Sequence, residues 1–279
     1  EDSTGSGFLN FYVNFNAKWY LKQQLYYMPS EKVKLFQWNT IPNRSGCTLY
    51  ILTSKGVSKI EYDLVINNYP ENGLVAVIDG VNVHFTNFSE QIVPPPMSGI
   101  CLTFDAPVND IYFIRSQNLY QFFMSDNAVK MYTYDNGKFI ESEGANITSD
   151  ESFLNRNQDL YYNNEVVCNN VISMLIYNKY LLFTHASSKL YYVRLTTGKL
   201  LNSYWNLDRF YSREVEQGAK IVCVTGKSDI ILVIPRGNLE TISCRLIAID
   251  NIEQLLQENK WREAVCQIRK QRLNWNLLI

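Results

Sequence analysis

The sequence predicts a mainly β fold: a partial β-propeller of four-stranded antiparallel blades, followed by a short C-terminal α-helical segment. Three observations predict it. Aromatic residues make up 14% of the chain, with 19 Tyr and 14 Phe, and such side chains suit a pleated, half-buried surface. Short apolar or alternating runs recur between turn signals from Phe8 almost to Asp250, the pattern of a many-stranded antiparallel protein. The apolar period then changes once, from two to 3.6, near the C-terminus.

Taken in order, Phe8 to Asn16 alternates loosely and reads as a strand. Lys18–Tyr27, Val33–Trp38, Cys47–Thr53 and Val57–Ile66 read as one meander, broken at Pro29-Ser30-Glu31, Asn39–Gly46 and Ser54-Lys55-Gly56. Leu74–Ile78 and Val81–Thr86 flank Asp79-Gly80, a strong hairpin signal. Ile92–Met97 contains three consecutive prolines, which lack an N–H to donate, so it reads as an extended connector. Cys101–Phe104, Val108–Arg115, Leu119–Met124, Val129–Tyr134 and Lys138–Ile140 are further strands. Glu141 to Asn164 is polar and reads as a long surface loop. Strands resume at Val171–Ile176, Tyr180–Thr184, Leu190–Leu195 and Leu200–Trp205, with polar sequence from Asp208 to Gly218. Lys220–Thr225, Ile230–Ile234 and Leu239–Ala248 close the β region; Gly237, in the turn Arg236-Gly237-Asn238, is expected to need a positive φ. A unit of about four strands recurs roughly every 40 to 60 residues, which fits a propeller of about four or five blades and fits a sandwich as well.

At Asp250-Asn251 the pattern becomes helical, with that pair as the expected N-cap and Glu253 in the first turn. Ile252, Leu255 and Leu256, then Ala264, Val265 and Ile268, recur at helical spacing on either side of Asn259-Lys260. This reads as two short helices opening an α-solenoid, or as one helix docked on a sheet. The expected organisation is therefore 1–7 as a linker or expression remnant, 8–249 as propeller and 250–279 as the start of a solenoid. The tail concentrates Lys260, Arg262, Arg269, Lys270 and Arg272 against Glu258 and Glu263. Either this is a solvated helix face, or it is a patch for an acidic partner or RNA. Trp261, Arg262, Arg269, Arg272 and Trp275 are the candidate partner-binding residues; as an alternative, the two tryptophans read as packing residues.

Composition narrows the function classes. Net charge is −1, from 26 Lys and Arg against 27 Asp and Glu, whereas gripping a phosphate backbone leaves a basic footprint. The six cysteines, Cys47, Cys101, Cys168, Cys223, Cys244 and Cys266, form no CxxC pair, and there are two histidines, His84 and His185. Zinc-ligand spacing is absent, and the thiols read as buried and reduced. Gly226-Lys227-Ser228 ends like a phosphate-binding loop, but residue 221 is Ile where that loop needs Gly. Both histidines follow strand runs and read as structural. No catalytic constellation, metal site or cofactor is expected, and no apolar run approaches the ~20 residues that span a bilayer.

Several words carry a resemblance: Lys18-Trp19-Tyr20-Leu21-Lys22-Gln23, Val75-Ala76-Val77-Ile78-Asp79-Gly80, Val93-Pro94-Pro95-Pro96-Met97, Val108-Asn109, Pro235-Arg236-Gly237-Asn238-Leu239-Glu240, and Trp261-Arg262-Glu263-Ala264 through Arg269-Lys270-Gln271-Arg272-Leu273-Asn274. In this order and content the chain resembles the large scaffold subunit of the Elongator complex, in its second β-propeller and the start of its helical solenoid. Lys18 departs from the family's usual His, and the stretch before it is shortened. The family's first propeller, most of its solenoid and its tRNA-linked basic region have no counterpart here, so tRNA contact is not carried over to these residues. The resemblance implies a non-catalytic, cytoplasmic scaffold (with a possible nuclear pool) and no cofactor. It implies partners among the Elongator subunits, including the catalytic acetyltransferase subunit and a second propeller subunit. Modification of wobble uridines in tRNA belongs to that assembly, and dimerisation to a distal region. Architecture alone leaves open a subunit of a membrane coat or vesicle tether, and more distantly a propeller hydrolase.

Overall fold

A computed structural model of the chain describes residues 7–15, 17–40, 47–62, 73–93, 97–114, 118–135, 137–142, 153–156, 158–195, 205–225 and 228–273. Among these residues, seven antiparallel sheets follow one another along the sequence. β1 (Gly7–Phe15) pairs with β2 (Lys18–Tyr27); β3 (Val33–Thr40), β4 (Cys47–Thr53) and β5 (Val57–Tyr62) form the next sheet. β6 (Leu74–Asp79), β7 (Asn82–Asn87) and β8 (Ile100–Thr103) form the third, and β9 (Val108–Ile114), β10 (Leu119–Met124), β11 (Val129–Asp135) and β12 (Lys138–Glu141) the fourth. β13 (Phe153–Arg156), β14 (Asp159–Tyr162) and β15 (Glu165–Cys168) precede β16 (Val171–Tyr177), β17 (Tyr180–His185), β18 (Lys189–Arg194) and β19 (Tyr211–Glu214). β20 (Lys220–Val224), β21 (Asp229–Val233) and β22 (Leu239–Ser243) complete the set, followed by α1 (Arg245–Gln257) and α2 (Trp261–Lys270). In each sheet, every strand pairs with its neighbour in sequence, as in the blades of a propeller.

The central strands explain why these sheets exist. β17, Tyr-Leu-Leu-Phe-Thr-His, is buried at its first five positions, and Ile230, Ile231 and Leu232 of β21 are fully buried. A continuous apolar run of this length is what a strand covered on both faces requires. β16 beside it alternates buried and half-buried residues at period two.

The chain divides into two compact units, residues 1–67, 76–84 and 100–147, and residues 68–75, 85–99 and 148–279. In the first, Phe11, Leu49 and Ile51 form one core. Phe104, Phe122 and Tyr132 pack at ring separations of 4.9, 5.6 and 5.9 Å to form another, distances at which offset and edge-on contacts are favourable. The second unit holds a larger core from β16 to α1, including Leu182, Leu190, Ile221, Ile230, Leu232 and Ile247. Beside it, Leu160, Leu181, Phe183, Val193 and Trp205 form a second cluster.

Several strand expectations hold closely: β2 and β4 carry the bounds read from the sequence. Others need correction. The first meander is two sheets, because β2 pairs with β1 and β3–β5 pair among themselves. The expected loop from Glu141 to Asn164 contains β13 and β14, and β19 lies in the polar stretch after Asp208. The seven sheets exceed the four or five blades expected. The strand expected over Leu239–Ala248 stops at Ser243, and α1 starts at Arg245 with Cys244 as its N-cap. Asp250 and Asn251, expected to cap the helix, therefore lie inside it. Of the expected connector Ile92–Met97, residues 94–96 lie outside the described residues, as do 200–204 of the expected strand Leu200–Trp205.

The β21–β22 turn behaves as expected. Gly237 N–H donates to the Ile234 carbonyl (2.8 Å) and Ile234 N–H to the Asn238 carbonyl (3.0 Å), with Gly237 at φ 90°. Pro235 presets the turn's first bend and Gly237 supplies the left-handed residue that ends it. Gly237→Ala is expected to cost about 1 kcal/mol, read as a lower urea midpoint at unchanged m-value. The thiols give a second prediction. Cys168, Cys223 and Cys244 are buried, and burial pushes Cys168 up to about 11 and Cys223 up to about 12. Cys101 and Cys266 are exposed, correcting the expectation that the cysteines are buried. Iodoacetamide at pH 8 should label Cys101 and Cys266 in the folded protein and reach the three buried thiols only on unfolding; mass spectrometry of tryptic peptides checks this.

Candidate partner-docking surface

α1 and α2 meet through Ala248, Ile252, Ala264, Ile268 and Leu273, all buried. Small Ala264 and branched Ile268, one turn apart, turn the inner face of α2 to α1. This fixes the opposite face. Trp261, the first residue of α2, is 52% exposed. Arg262 and Arg269 are exposed and seven residues apart, which puts them two turns apart on one face. Arg272 is exposed just beyond the helix, at φ 51°. Trp275 lies outside the described residues. Lys270 instead reaches back toward Asp229 (3.8 Å), and Lys260 pairs with Glu258 (2.7 Å). Glu263 in the first turn, and Arg269 and Lys270 in the last, complement the helix dipole. The structure thus sets Arg262 and Arg269 on one exposed face of α2, a face suited to carboxylates, and leaves the Trp261 indole half-exposed at the start of the helix.

What holds this surface still was missed in the sequence. Asp250 accepts from the Tyr180 hydroxyl (2.6 Å) and pairs with Lys179 (3.0 Å) and Arg194 (3.5 Å). The next residue, Asn251, donates to the Ser228 hydroxyl (2.8 Å) and accepts from the Asn178 amide (3.3 Å). One turn of α1 is thereby tied to the β16–β17 hairpin, to β18 and to the start of β21. Burial first, then the bond to Asp250, raises the Tyr180 phenol's pKa, so that hydroxyl remains a donor at neutral pH. Acidic and amide side chains before a helical run signal a cap; here they are anchors, and no local pattern distinguishes the two.

A second cluster, in the other unit, was also missed. Lys18, Tyr20 and Lys22 lie on one face of β2; Lys18 pairs with Asp79 (2.8 Å) and Lys22 donates to the Ile78 carbonyl (2.6 Å). His84, expected after a strand, sits within β7, and its pKa is lowered by burial first and then by Lys18. His185 caps its own turn, where its Nδ1 accepts from the Ser187 N–H (3.0 Å). Among the described residues no three His, Cys, Asp or Glu side chains are placed to hold a metal ion, and no helix is long and apolar enough to cross a membrane.

The model of the ELP1 N-terminal second β-propeller matches residues 77–153 and 147–222, together just over half of the chain. The chain belongs to this family. Its β-propeller fold and its place among Elongator complex protein 1 relatives follow. The Elongator complex protein 1 of Drosophila melanogaster is 24% identical over 395 residues, covering 96% of this chain and 30% of the relative. That alignment is longer than the chain, so the fly protein carries segments without a counterpart here. A putative elongator complex protein 1 of Xenopus laevis is 36% identical over 132 residues, 45% of this chain and 11% of the relative. The Saccharomyces cerevisiae protein is 29% identical over 131 residues, 45% and 10%. The ELP1-family chain therefore spans less than a third of these relatives.

Asp250 gives the test of the anchored surface. Asp250→Ala leaves the Tyr180 hydroxyl and two cations without their acceptor and should cost about 1–3 kcal/mol. Amide exchange in α1 and α2 should accelerate more than in β17. Uniform exchange across these elements would show that the carboxylate does not anchor the helices.

Proposed function

We propose that this chain is the second-propeller portion of a non-catalytic scaffold subunit of an Elongator complex. In this reading it holds the catalytic acetyltransferase subunit and another propeller subunit, so that the assembly modifies wobble uridines of tRNA in the cytoplasm. The family match over residues 77–222 carries the proposal, and it favours an Elongator subunit over a coat or vesicle tether. The architecture supports it: sheets with central strands covered on both faces are stiff, and a stiff body with protruding turns holds partners in fixed geometry. The passage from propeller to solenoid lies at residues 244–250, and the Arg262 and Arg269 face of α2, with Trp261 half-exposed at its start, is a contact surface for an acidic partner or for further helices of the same subunit. Affinity comes from the half-exposed indole and charge steering from the arginines.

The test uses the complete subunit carrying this chain, tagged in cells that lack the endogenous copy. It is expected to co-purify with the other Elongator subunits and to restore wobble-uridine modification. Recovery of vesicle-coat components with unrestored tRNA would overturn the reading. In the same cells, Arg262→Glu with Arg269→Glu should lower subunit recovery several-fold. The folded chain should lose no more than about 1–2 kcal/mol, the cost of reversing a charge that complements the last turn of α2, and circular dichroism should show it folded.

A further inference from the structure

Two ammonium groups flank one buried phenol in the first unit. Lys18 Nζ lies 4.7 Å and Lys22 Nζ 4.9 Å from the centroid of the Tyr20 ring. Tyr20 is 1% exposed, and its hydroxyl, carried at the rim of that ring, has no hydrogen-bond partner among the described residues. The two lysines are not equivalent. Lys18 is neutralised by Asp79 at 2.8 Å, and Asp79 also accepts from the Leu21 N–H (3.3 Å), which fixes the carboxylate. Lys22 donates to a backbone carbonyl and makes no salt bridge among the described residues, which leaves two ammonium hydrogens and a net positive charge. A half-buried ammonium that makes no salt bridge among the described residues, and a buried hydroxyl with no hydrogen-bond partner among them, each cost free energy. One small anion would relieve both.

We propose that Lys22, Tyr20 and Lys18 form a binding site for a small oxyanion such as sulfate or phosphate, with Asp79 positioning Lys18. The ring faces contribute cation–π attraction that holds the ammoniums near the hydroxyl when the site is empty. The oxyanion accepts from the Lys22 ammonium and the Tyr20 hydroxyl, and Lys18, 4.7 Å from the same ring centroid, adds charge. Lys18, whose side chain is 40% exposed, links this cluster to solvent. The site stands independently of which partners the chain assembles with.

The pH dependence follows from the groups that face Lys22: Lys18 on its own strand, Asp79 on β6 and His84 on β7. Burial lowers Lys22 to about 8, with Asp79 opposing and Lys18 reinforcing the shift. His84 is held below its ordinary value, by burial first, and is neutral above pH 7. The anion favours the charged ammonium, so affinity is greatest below pH 8 and declines as pH rises through it.

Sulfate keeps its charge across this range and is the probe. Calorimetric titration of the full chain at pH 7 should give saturable binding to one site. Chloride at matched ionic strength should give none. Lys22→Met should weaken sulfate binding at least about tenfold, Tyr20→Phe several-fold, and raising the pH from 7 to 9 should weaken it in the wild type but not in Lys22→Met. Tyr20→Phe keeps the ring and its packing, so it remains informative if Lys22→Met fails to fold. No saturable binding, equal binding by both variants, or an equal response to chloride would overturn the site and leave the lysines as ring-packing cations.

Discussion

A strand at the edge of a sheet carries backbone amides and carbonyls with no ladder partner, and burying them unpaired is costly. A chain built as successive small sheets meets this problem at every boundary. Here single polar side chains solve it. Asn109 of β9 accepts from the Gln24 N–H (2.8 Å) and donates back to the Gln24 carbonyl (3.0 Å), so one amide side chain imitates a peptide partner on both sides. Asp79 does the same for the Leu21 N–H, while Gly80 donates to the Leu21 carbonyl (2.8 Å) and accepts from Val108 (2.9 Å). In the second unit the buried Ser173 hydroxyl accepts from Ile221 N–H (2.8 Å) and is paired with Thr184 (2.7 Å). These joints set the spacing between strands that share no ladder.

The joints also explain which sequence words carry the family resemblance. Lys18–Gln23, Val75–Gly80 and Val108-Asn109 are far apart in the chain, yet they meet at the Asp79-Gly80 turn. Gly80 is at φ 64°, and a Cβ there would lie 3.3 Å from a Leu21 methyl, so both its conformation and its space favour glycine. The sequence shows Asp-Gly as a hairpin turn and no more; its role as a three-way junction depends on Leu21, 58 residues before Asp79, and on Val108 beyond the next two strands.

What could be read from the sequence, and what could not, follows the same division. Long apolar runs such as β17 and β21 declare themselves, because burial on both faces demands continuous hydrophobicity. β13, β14, β15 and β19 are four residues each. Tyr211–Glu214 is exposed throughout, so tertiary pairing with β18 makes it a strand and no local pattern does. The helix pair was legible from its period. Its start was not: Arg245 to Ile249 is apolar enough to continue β22, and α1 is decided by where Ile247 and Ala248 are buried.

The same reasoning bears on the passage from sheets to helices. Ile247 joins the core formed by β16 to β22, whereas Ala248 and Ile252 join the core shared with α2. Adjacent residues of one helix thus serve two cores, which an amphipathic helix does by turning about 100° per residue. Apolar contact alone would let α1 slide or roll on the sheet, since dispersion and hydrophobic burial are weakly directional. Asp250 and Asn251, on the next residues, supply direction through Tyr180, Lys179, Asn178 and Ser228. Their side chains fix α1 in rotation as well as position, and through the Ala264 and Ile268 contact they fix the face of α2. The exposure of Arg262 and Arg269 is therefore a consequence of two polar residues a full helix away, and α2 inherits its orientation from the sheets.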